Sequence, residues 1–508
     1  MSAATHEPVA ASENPTFVRN SFFSVIAGVM SSVAGFASGI IVARTLGVSG
    51  TGTIAMALWL VFAAVTLCDW GLTGALARFL PPARGNAVET RQVTTYLVWA
   101  FWASVATGLV LLAGAMALWW PEAFTMEAWH GQHGMLSFGL IAFCFVIHMA
   151  NSFGYHYLRG VERFGNIASY SISGSVAQIG IVLVGSLLFG PSGAMIAYIL
   201  GSVPLAIVTF RLAIRGRPIR GEYRRKVTRY SAMLWIAGLL SPLLWTRVDL
   251  ILVERIGGLN AAGLFTAAAA FSALLIQLCV MLCGAVLPHL SAGEDSARKA
   301  ASSAALKAVL FLLMPMVFGT AAIAPRLIPL VYGPEFATAG LPAVILALAA
   351  GGSVITIALS NVLNALDQNA KLVIGGATGC VLTIVLGLIL IPIYGIMGAA
   401  VARFGAQGTV AVITLYQLNQ AQPGTVAWAW FRPIAVASIW CALTAAGILY
   451  VWPSDFALIL AIPAGGIVYL AICRLLLKLD EADIRLLGLK PSSGAGKAAS
   501  MMTKLMRA

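Results

Sequence analysis

Along the chain, apolar runs of about 20 residues alternate with short polar turns. Such a run, rising 1.5 Å per residue in a helix, covers roughly 30 Å of hydrocarbon. The pattern therefore predicts an all-α polytopic membrane protein with about 14 transmembrane helices. Six spans are expected near 20–43, 53–77, 93–118, 135–157, 166–189 and 192–212. Six more follow near 230–253, 261–288, 303–324, 339–364, 372–391 and 396–418, and a final pair near 432–452 and 456–477.

One stretch between two apolar runs recurs. Arg44 to Gly52 reads RTLGVSGTG, and Arg255 to Gly263 reads RIGGLNAAG, both R-x-x-G-x-x-x-x-G. Upstream, Ser21, Ile26-Ala27-Gly28 and Ser31 answer to Ser231, Ile236-Ala237-Gly238 and Ser241 once one residue is inserted. A hairpin that returns halfway along a chain predicts two related halves. Glycines suit the turn, so the expected role of Arg44 and Arg255 is to anchor a helix end. The expected organisation is two six-helix lobes plus a C-terminal helix pair around a central cavity. An N-terminal tail (1–19) precedes an N-lobe (20–212), a basic linker (213–229), a C-lobe (230–418), the final pair (432–477) and a C-terminal tail (478–508).

Composition supports the membrane reading and excludes a soluble enzyme. The 508 residues are 60% hydrophobic and 10% charged, with mean hydropathy +0.92, whereas a soluble domain carries roughly 25% charged residues. The polar N-terminus lacks a basic n-region with a cleavage site, so the first apolar run is expected to stay as a membrane helix. The net charge of +13 points to no nucleic-acid partner, because its distribution follows the loops. One set holds Arg78, Arg84, Arg91, Arg159, Arg163, the run from Arg211 to Arg229, Lys299, Lys371 and Arg432. The other keeps only Arg44, Arg255 and Arg326. This bias predicts that both termini are cytoplasmic and that the number of spans is even. The basic run 211–229 is expected to be a topology anchor and connector, with attraction to anionic lipid as the alternative. The segment KLDEADIRLLGLK is expected to form an amphipathic surface helix, and Trp119 to Gly134 an interfacial aromatic belt.

Ionisable groups within spans are costly and usually face a cavity or one another. Arg403 lies well inside the twelfth span with no acid near it in sequence. It is expected to face a water-filled cavity and meet an anionic substrate group, the alternative being a pair with a carboxylate of another helix. Arg247 and Asp249 lie two residues apart in the seventh span and point in different directions, so each needs its own neighbour. Asp249 and Asp69 are candidates for proton or cation coupling or for a structural lock. In the fourth span, His148, Asn151, Ser152, Tyr155 and Arg159 fall on one arc of the helix with His156 beside them, a polar stripe expected to be a wet wall. Gln178, Gln277, Asn361, Asn364 and Gln407 are expected to bridge helices. Gly28, Ser32, Gly35 and Gly39 form a small-residue face expected to let helices approach closely. The seven cysteines lie in apolar runs without a C-x-x-C pair, which predicts packing and no metal site. No catalytic motif is present and no cofactor is implied.

Several stretches together resemble a known family. They are ARTLGVSGTG followed by CDWGLTGALARFLPPA; RVDLILVERIGGLNAAGLFTAAAAFSALL with its following LPHLS; LIPLVYGPEFATAGLPAVILAL; and NALDQNAKLVIGG running into IPIYGIMGAAVA. In order and spacing they resemble the bacterial polysaccharide transporters, which include O-antigen and exopolysaccharide flippases. These lie within the multidrug/oligosaccharidyl-lipid/polysaccharide exporter superfamily. The resemblance implies a transporter working by alternating access, with a substrate carried on a polyprenyl diphosphate. A diphosphate wants Arg and a sugar chain wants hydrogen-bonding side chains. On this reading Arg403 and Arg247 receive the headgroup, and His148, Asn151, Tyr155, His156 and Arg159 lie near the inner entrance. Besides the lipid-linked oligosaccharide and membrane lipids, a polysaccharide polymerase and glycosyltransferases are the partners such a role brings. The alternative is a multidrug-type cation-coupled antiporter of the same superfamily, which calls for carboxylates in the cavity.

Overall fold

A computed structural model describes residues 15–83, 86–119, 134–212, 218–239, 248–290, 295–366, 368–426 and 428–476. Among these residues every regular element is helical. The first six helices are α1 (Pro15–Cys68), α2 (Leu72–Ala83), α3 (Ala87–Trp119), α4 (Gly134–Gly160), α5 (Phe164–Arg211) and α6 (Gly221–Leu239). There follow α7 (Val248–Leu290), α8 (Asp295–Tyr332), a short 3-10 turn η1 (Pro334–Ala339), α9 (Gly340–Ala365), α10 (Asn369–Ala421), α11 (Trp428–Val451) and α12 (Ala457–Leu476). Arg247, the aromatic stretch beyond Trp119 and the segment KLDEADIRLLGLK lie outside the described residues.

Ten described helices are long and apolar enough to cross a membrane. Those in α1, α5 and α10 run 46, 48 and 51 residues, enough for two crossings each at about 20 residues per crossing. Each is broken at one glycine, and so is α7. The breaks are Gly47 (φ 68°, ψ −166°), Gly190 (59°, −141°), Gly258 (78°, −178°) and Gly395 (56°, −135°). This left-handed, extended backbone is open to glycine and strained for other residues. The breaks come in two pairs with matching geometry, 47 with 258 and 190 with 395. Two crossings in each of the three longest helices and one in each of the other seven make thirteen among the described residues, in keeping with about fourteen for the chain.

In α5 and α10 the chain folds back on itself at the break. A Cβ on Gly193 would lie 1.9 Å from the Gly185 carbonyl oxygen, and one on Gly398 would lie 2.1 Å from that of Leu390. Residues eight apart in an unbroken helix are about 12 Å apart, so both are tight antiparallel hairpins. The glycines that allow this approach occupy the same register in the two copies.

The described chain gathers into two compact units. The first takes its residues from Met1–Ser38, Leu60–Phe124 and Gln132–Gly238. Its core holds Phe101, Phe145, Leu76, Leu80, Leu97 and Ile141, all essentially inaccessible, with the Phe101 and Phe153 rings 5.0 Å apart. The small face of Gly154 meets the Leu205 carbonyl, and Thr209 Oγ1 donates to Ala150 O, which ties α4 to α5. Helix α6 packs on this unit. Val227 is fully buried, Trp235 Nε1 donates to Leu67 O at 3.0 Å, and Tyr230 stacks edge-on with Phe79 beneath the Arg78 guanidinium. The unit boundary thus falls at Gly238, within the seventh span.

The second unit takes its residues from Gly39–Trp59 and Leu239–Ala508. One core, with Val253, Phe265, Ile328, Tyr332, Phe336, Leu346 and Ile391, also buries Ala43 of α1. A second core joins α7, α8 and α9 to the final pair through Cys279, Leu313, Val354, Leu363, Cys441, Tyr469 and Cys473, and Tyr469 Oη donates to Phe311 O at 2.7 Å. The cysteines here are packing residues, as their apolar setting predicts. The small-residue face of the first span does not hold as drawn, because a Cβ on Gly35 or Gly39 would meet open space.

Within this unit the two repeated stretches pack on each other. A Cβ on Gly52 would lie 2.0 Å from the Leu259 carbonyl oxygen, and one on Gly263 would lie 2.1 Å from that of Val48. Val48 and Leu259 hold the same place in the repeat, as do Gly52 and Gly263, so the contact is reciprocal. It places backbone against backbone, which only glycine permits.

Candidate functional site

The deepest charged group among the described residues of the second unit is Asp249, 2% exposed in the first turn of α7. Its Oδ2 accepts from Arg403 Nε of α10 in a buried ion pair. The Arg403 guanidinium carbon also sits 5.2 Å from the Phe265 ring centroid, a cation–π arrangement. The pair with a carboxylate of another helix, the alternative that the sequence offers, is thus present, while the Arg403 side chain stays 13% exposed. A guanidinium at this depth needs a counter-charge, since the penalty for burying an ion alone is several kcal/mol. The carboxylate comes from a helix 154 positions away in sequence, a distance no local pattern reveals. Asp249 Oδ1 has no hydrogen-bond partner among the described residues.

In the first unit, the α4 stripe begins with His148, which is half-buried. Its Nδ1 meets Cys144 O at 3.1 Å, its Nε2 meets Ser202 Oγ of α5 at 3.4 Å, and its ring stands edge-on to Phe62 of α1, centroids 5.3 Å apart. Both of its ring nitrogens therefore have partners within the unit, and it shares the half-buried state of its neighbours on the stripe. The helix twist that aligns it with Asn151 also turns it toward α5, and packing there decides its setting. Asn151, Ser152, Tyr155 and His156 are half-buried and Arg159 is exposed. His156 Nδ1 bonds to Ser152 O at 2.9 Å, and its ring meets that of Tyr155 at 5.2 Å. The stripe thus keeps a polar, partly open surface made of these five half-buried residues and Arg159.

Asp69 lies in the break between α1 and α2, one residue past the end of α1. Trp70 and Gly71 adopt positive φ there (49° and 71°). The Asp69 carboxylate accepts from Thr73 Oγ1 at 3.0 Å, a placement that suits a helix start. Gln178 bridges helices as expected, its Nε2 donating to Ser38 Oγ at 3.0 Å. This contact is not the counterpart of the Asp249–Arg403 pair, because by the 190-to-395 register Gln178 corresponds to Thr383. By the 47-to-258 register Ser38 corresponds to Asp249, and by the 190-to-395 register Tyr198 corresponds to Arg403.

Arg44 anchors a helix end, though not its own. Its Nε donates to Val331 O at 2.9 Å and its Nη2 to Leu330 O, the last turn of α8. A cation there satisfies carbonyls that the helix leaves open and opposes its dipole. The Glu335 carboxylate lies against Gly47, where a second helical arm of α1 begins. Arg255, its counterpart in the repeat, instead lies 3.7 Å from Glu254.

With this geometry in view, comparison with known proteins is informative. The sequence profile of the polysaccharide biosynthesis protein family matches residues 17–294, more than half of the chain. The chain belongs to that family. Among curated members of related families, stage V sporulation protein B of Bacillus subtilis (strain 168) is 23% identical over 211 residues. That match spans 38% of this chain and 38% of that protein. Among solved structures, a lipid II flippase MurJ in an inward closed conformation superposes with TM-score 0.73 at 17% identity. The superposition covers 89% of this chain and 98% of that one. An inward-facing multidrug resistance MATE transporter of the MOP superfamily reaches TM-score 0.61 at 15% identity, covering 80% and 99%. The chain therefore has the fold of these membrane transporters, over more of its length with the lipid II flippase than with the MATE transporter.

Proposed function

We propose that this protein is a flippase, not an enzyme, which moves a polyprenyl-diphosphate-linked oligosaccharide across the bacterial inner membrane for surface or exopolysaccharide biosynthesis. The observation that carries this reading is a coincidence of two matches: the family is one of polysaccharide biosynthesis, and the fold is that of a transporter handling a lipid-linked saccharide precursor. Alternating access between the two leaflets supplies the movement. Both termini lie in the cytoplasm on this reading, as the distribution of basic residues supports. A polymerase and glycosyltransferases then act before and after translocation.

The half-buried polar residues Asn151, Tyr155 and His156, with Arg159 at the exposed end, are the substrate-contacting surface on this reading. They offer hydrogen-bonding groups and one cation at the inner end of α4, where sugar hydroxyls and diphosphate oxygens need them. Arg403 serves through its pair with Asp249, as a coupling element or a structural lock, and Arg247, two residues before Asp249 in sequence, is a second cation for the headgroup. Deleting the gene tests the proposal in cells. Lipid-linked oligosaccharide should accumulate on the cytoplasmic side while polymer disappears from the surface. Normal surface polymer in a clean deletion strain would reject it.

A further inference from the structure

A cavity of about 460 Å³ opens in the second unit where α8 ends. Its walls include Arg44, Arg326 and Asp455, set among Pro325, Pro329 and Pro334. The volume falls in the range of small-ligand sites, roughly 300–1,000 Å³. The prolines give fixed walls, since each has a locked φ and no N–H of its own to satisfy.

The polar groups are available. Arg326 is half-buried, and it makes no hydrogen bond or ion pair to any described residue. The same holds for the exposed Asp455 side chain. Arg44 spends Nε and one Nη on the α8 carbonyls, which holds its planar fork in place and leaves the rest of it to the cavity. Two guanidiniums and one carboxylate therefore line one cavity without cancelling one another as ion pairs.

That lining selects a class of ligand. A simple anion would suit the arginines, which match phosphate geometry with a rigid fork of donors, but would be repelled by Asp455. A neutral sugar would suit Asp455 and leave the arginines unused. A ligand with an anion at one end and hydroxyl donors at the other uses all three. We propose that this cavity binds a phosphorylated sugar headgroup, with Arg326 and Arg44 receiving the phosphate and Asp455 accepting from a sugar hydroxyl. The assignment rests on the proposed export of a diphosphate-linked saccharide and deepens it. By the distribution of basic residues Arg44 and Arg326 belong to the outer side, so the cavity is a holding site for the headgroup after translocation.

The test uses the full-length protein in phosphatidylcholine nanodiscs, titrated calorimetrically with N-acetylglucosamine 1-phosphate and with inorganic pyrophosphate. The sugar phosphate should bind saturably to the wild type, and pyrophosphate, which Asp455 repels, more weakly. Arg326→Gln should weaken both about tenfold or more, as expected for losing a charge-assisted contact. Asp455→Ala should weaken only the sugar phosphate. Excess sugar phosphate should also raise the thermal midpoint of the wild type, a readout that needs no variant. Unchanged affinity in Arg326→Gln, equal effects of Asp455→Ala on the two probes, or no midpoint shift would each overturn the assignment. Binding is read without translocation, so failure of the export reading in the deletion strain is a separate result from failure of this site.

Discussion

At the scale of single residues, Arg403 and Asp249 decide how a charge survives deep in an apolar protein. Their pairing makes removal of one partner costly, because the other charge stays buried alone. Arg403→Ala should lower stability by about 3–5 kcal/mol, seen as a large drop in the thermal midpoint in detergent. Replacing both, as in Asp249→Leu with Arg403→Met, should recover most of that loss, since apolar side chains of similar volume often substitute for a buried pair. A single variant as stable as the wild type would contradict the paired assignment. The α4 stripe predicts a similar split. His148→Ala removes packing and contacts to Cys144 and Ser202 and should cost about 1–3 kcal/mol. Arg159→Ala, at an exposed position, should stay within about 0.5 kcal/mol of the wild type yet lower polymer export several-fold in a complementation assay. The residue types at these positions were legible in the sequence, but their partners were not. Periodicity along one helix places Arg403 and His148 at a depth and on a face; it is silent on the carboxylate 154 positions away and on the α5 hydroxyl that meets the imidazole.

At the scale of elements, the repeated R-x-x-G-x-x-x-x-G stretch is where sequence and structure meet most directly. Its recurrence marks two glycine-centred breaks, and the structure adds that the two copies contact one another. The backbones approach so closely at Gly52 and Gly263 that any Cβ collides with a carbonyl. Gly52→Ala should therefore destabilise the second unit by about 1–3 kcal/mol, the usual cost of overpacking. Gly35→Ala, which meets open space on the same helix, should be neutral or stabilising by up to about 1 kcal/mol through helix propensity. Thermal midpoints of the two purified variants check this, and a Gly52→Ala protein as stable as Gly35→Ala would refute the contact. The second pair of breaks, at Gly190 and Gly395, went unread because GPSG and GIMG share only their glycines. Their kinship is in backbone angle and register, which leave little trace in side-chain identity. The anchoring role of Arg44 was legible as a helix-end contact, but the helix concerned is α8, nearly 290 residues onward.

At the scale of the whole molecule, apolar runs about 20 residues long were enough to give an all-helical membrane protein and the number of crossings. That inference rests on a strong constraint, because a backbone in hydrocarbon must satisfy its own hydrogen bonds. The division into units was harder to read. The basic run 211–229 marks a change in chain composition, whereas the contacts carry α6 into the first unit and the tip of the α1 hairpin into the second. Contacts between segments far apart in sequence draw that division, and composition does not report them. Transport belongs to the whole molecule and is measured by reconstitution. The full-length protein would be placed in liposomes with a short-chain polyprenyl-diphosphate-linked saccharide in both leaflets, and the saccharide reachable by an added galactosyltransferase would be measured over time. The account predicts that the protein brings the inner-leaflet fraction within reach of the enzyme, so that labelling passes from about half to near completion. Labelling that stops at half, as in protein-free liposomes, would contradict it.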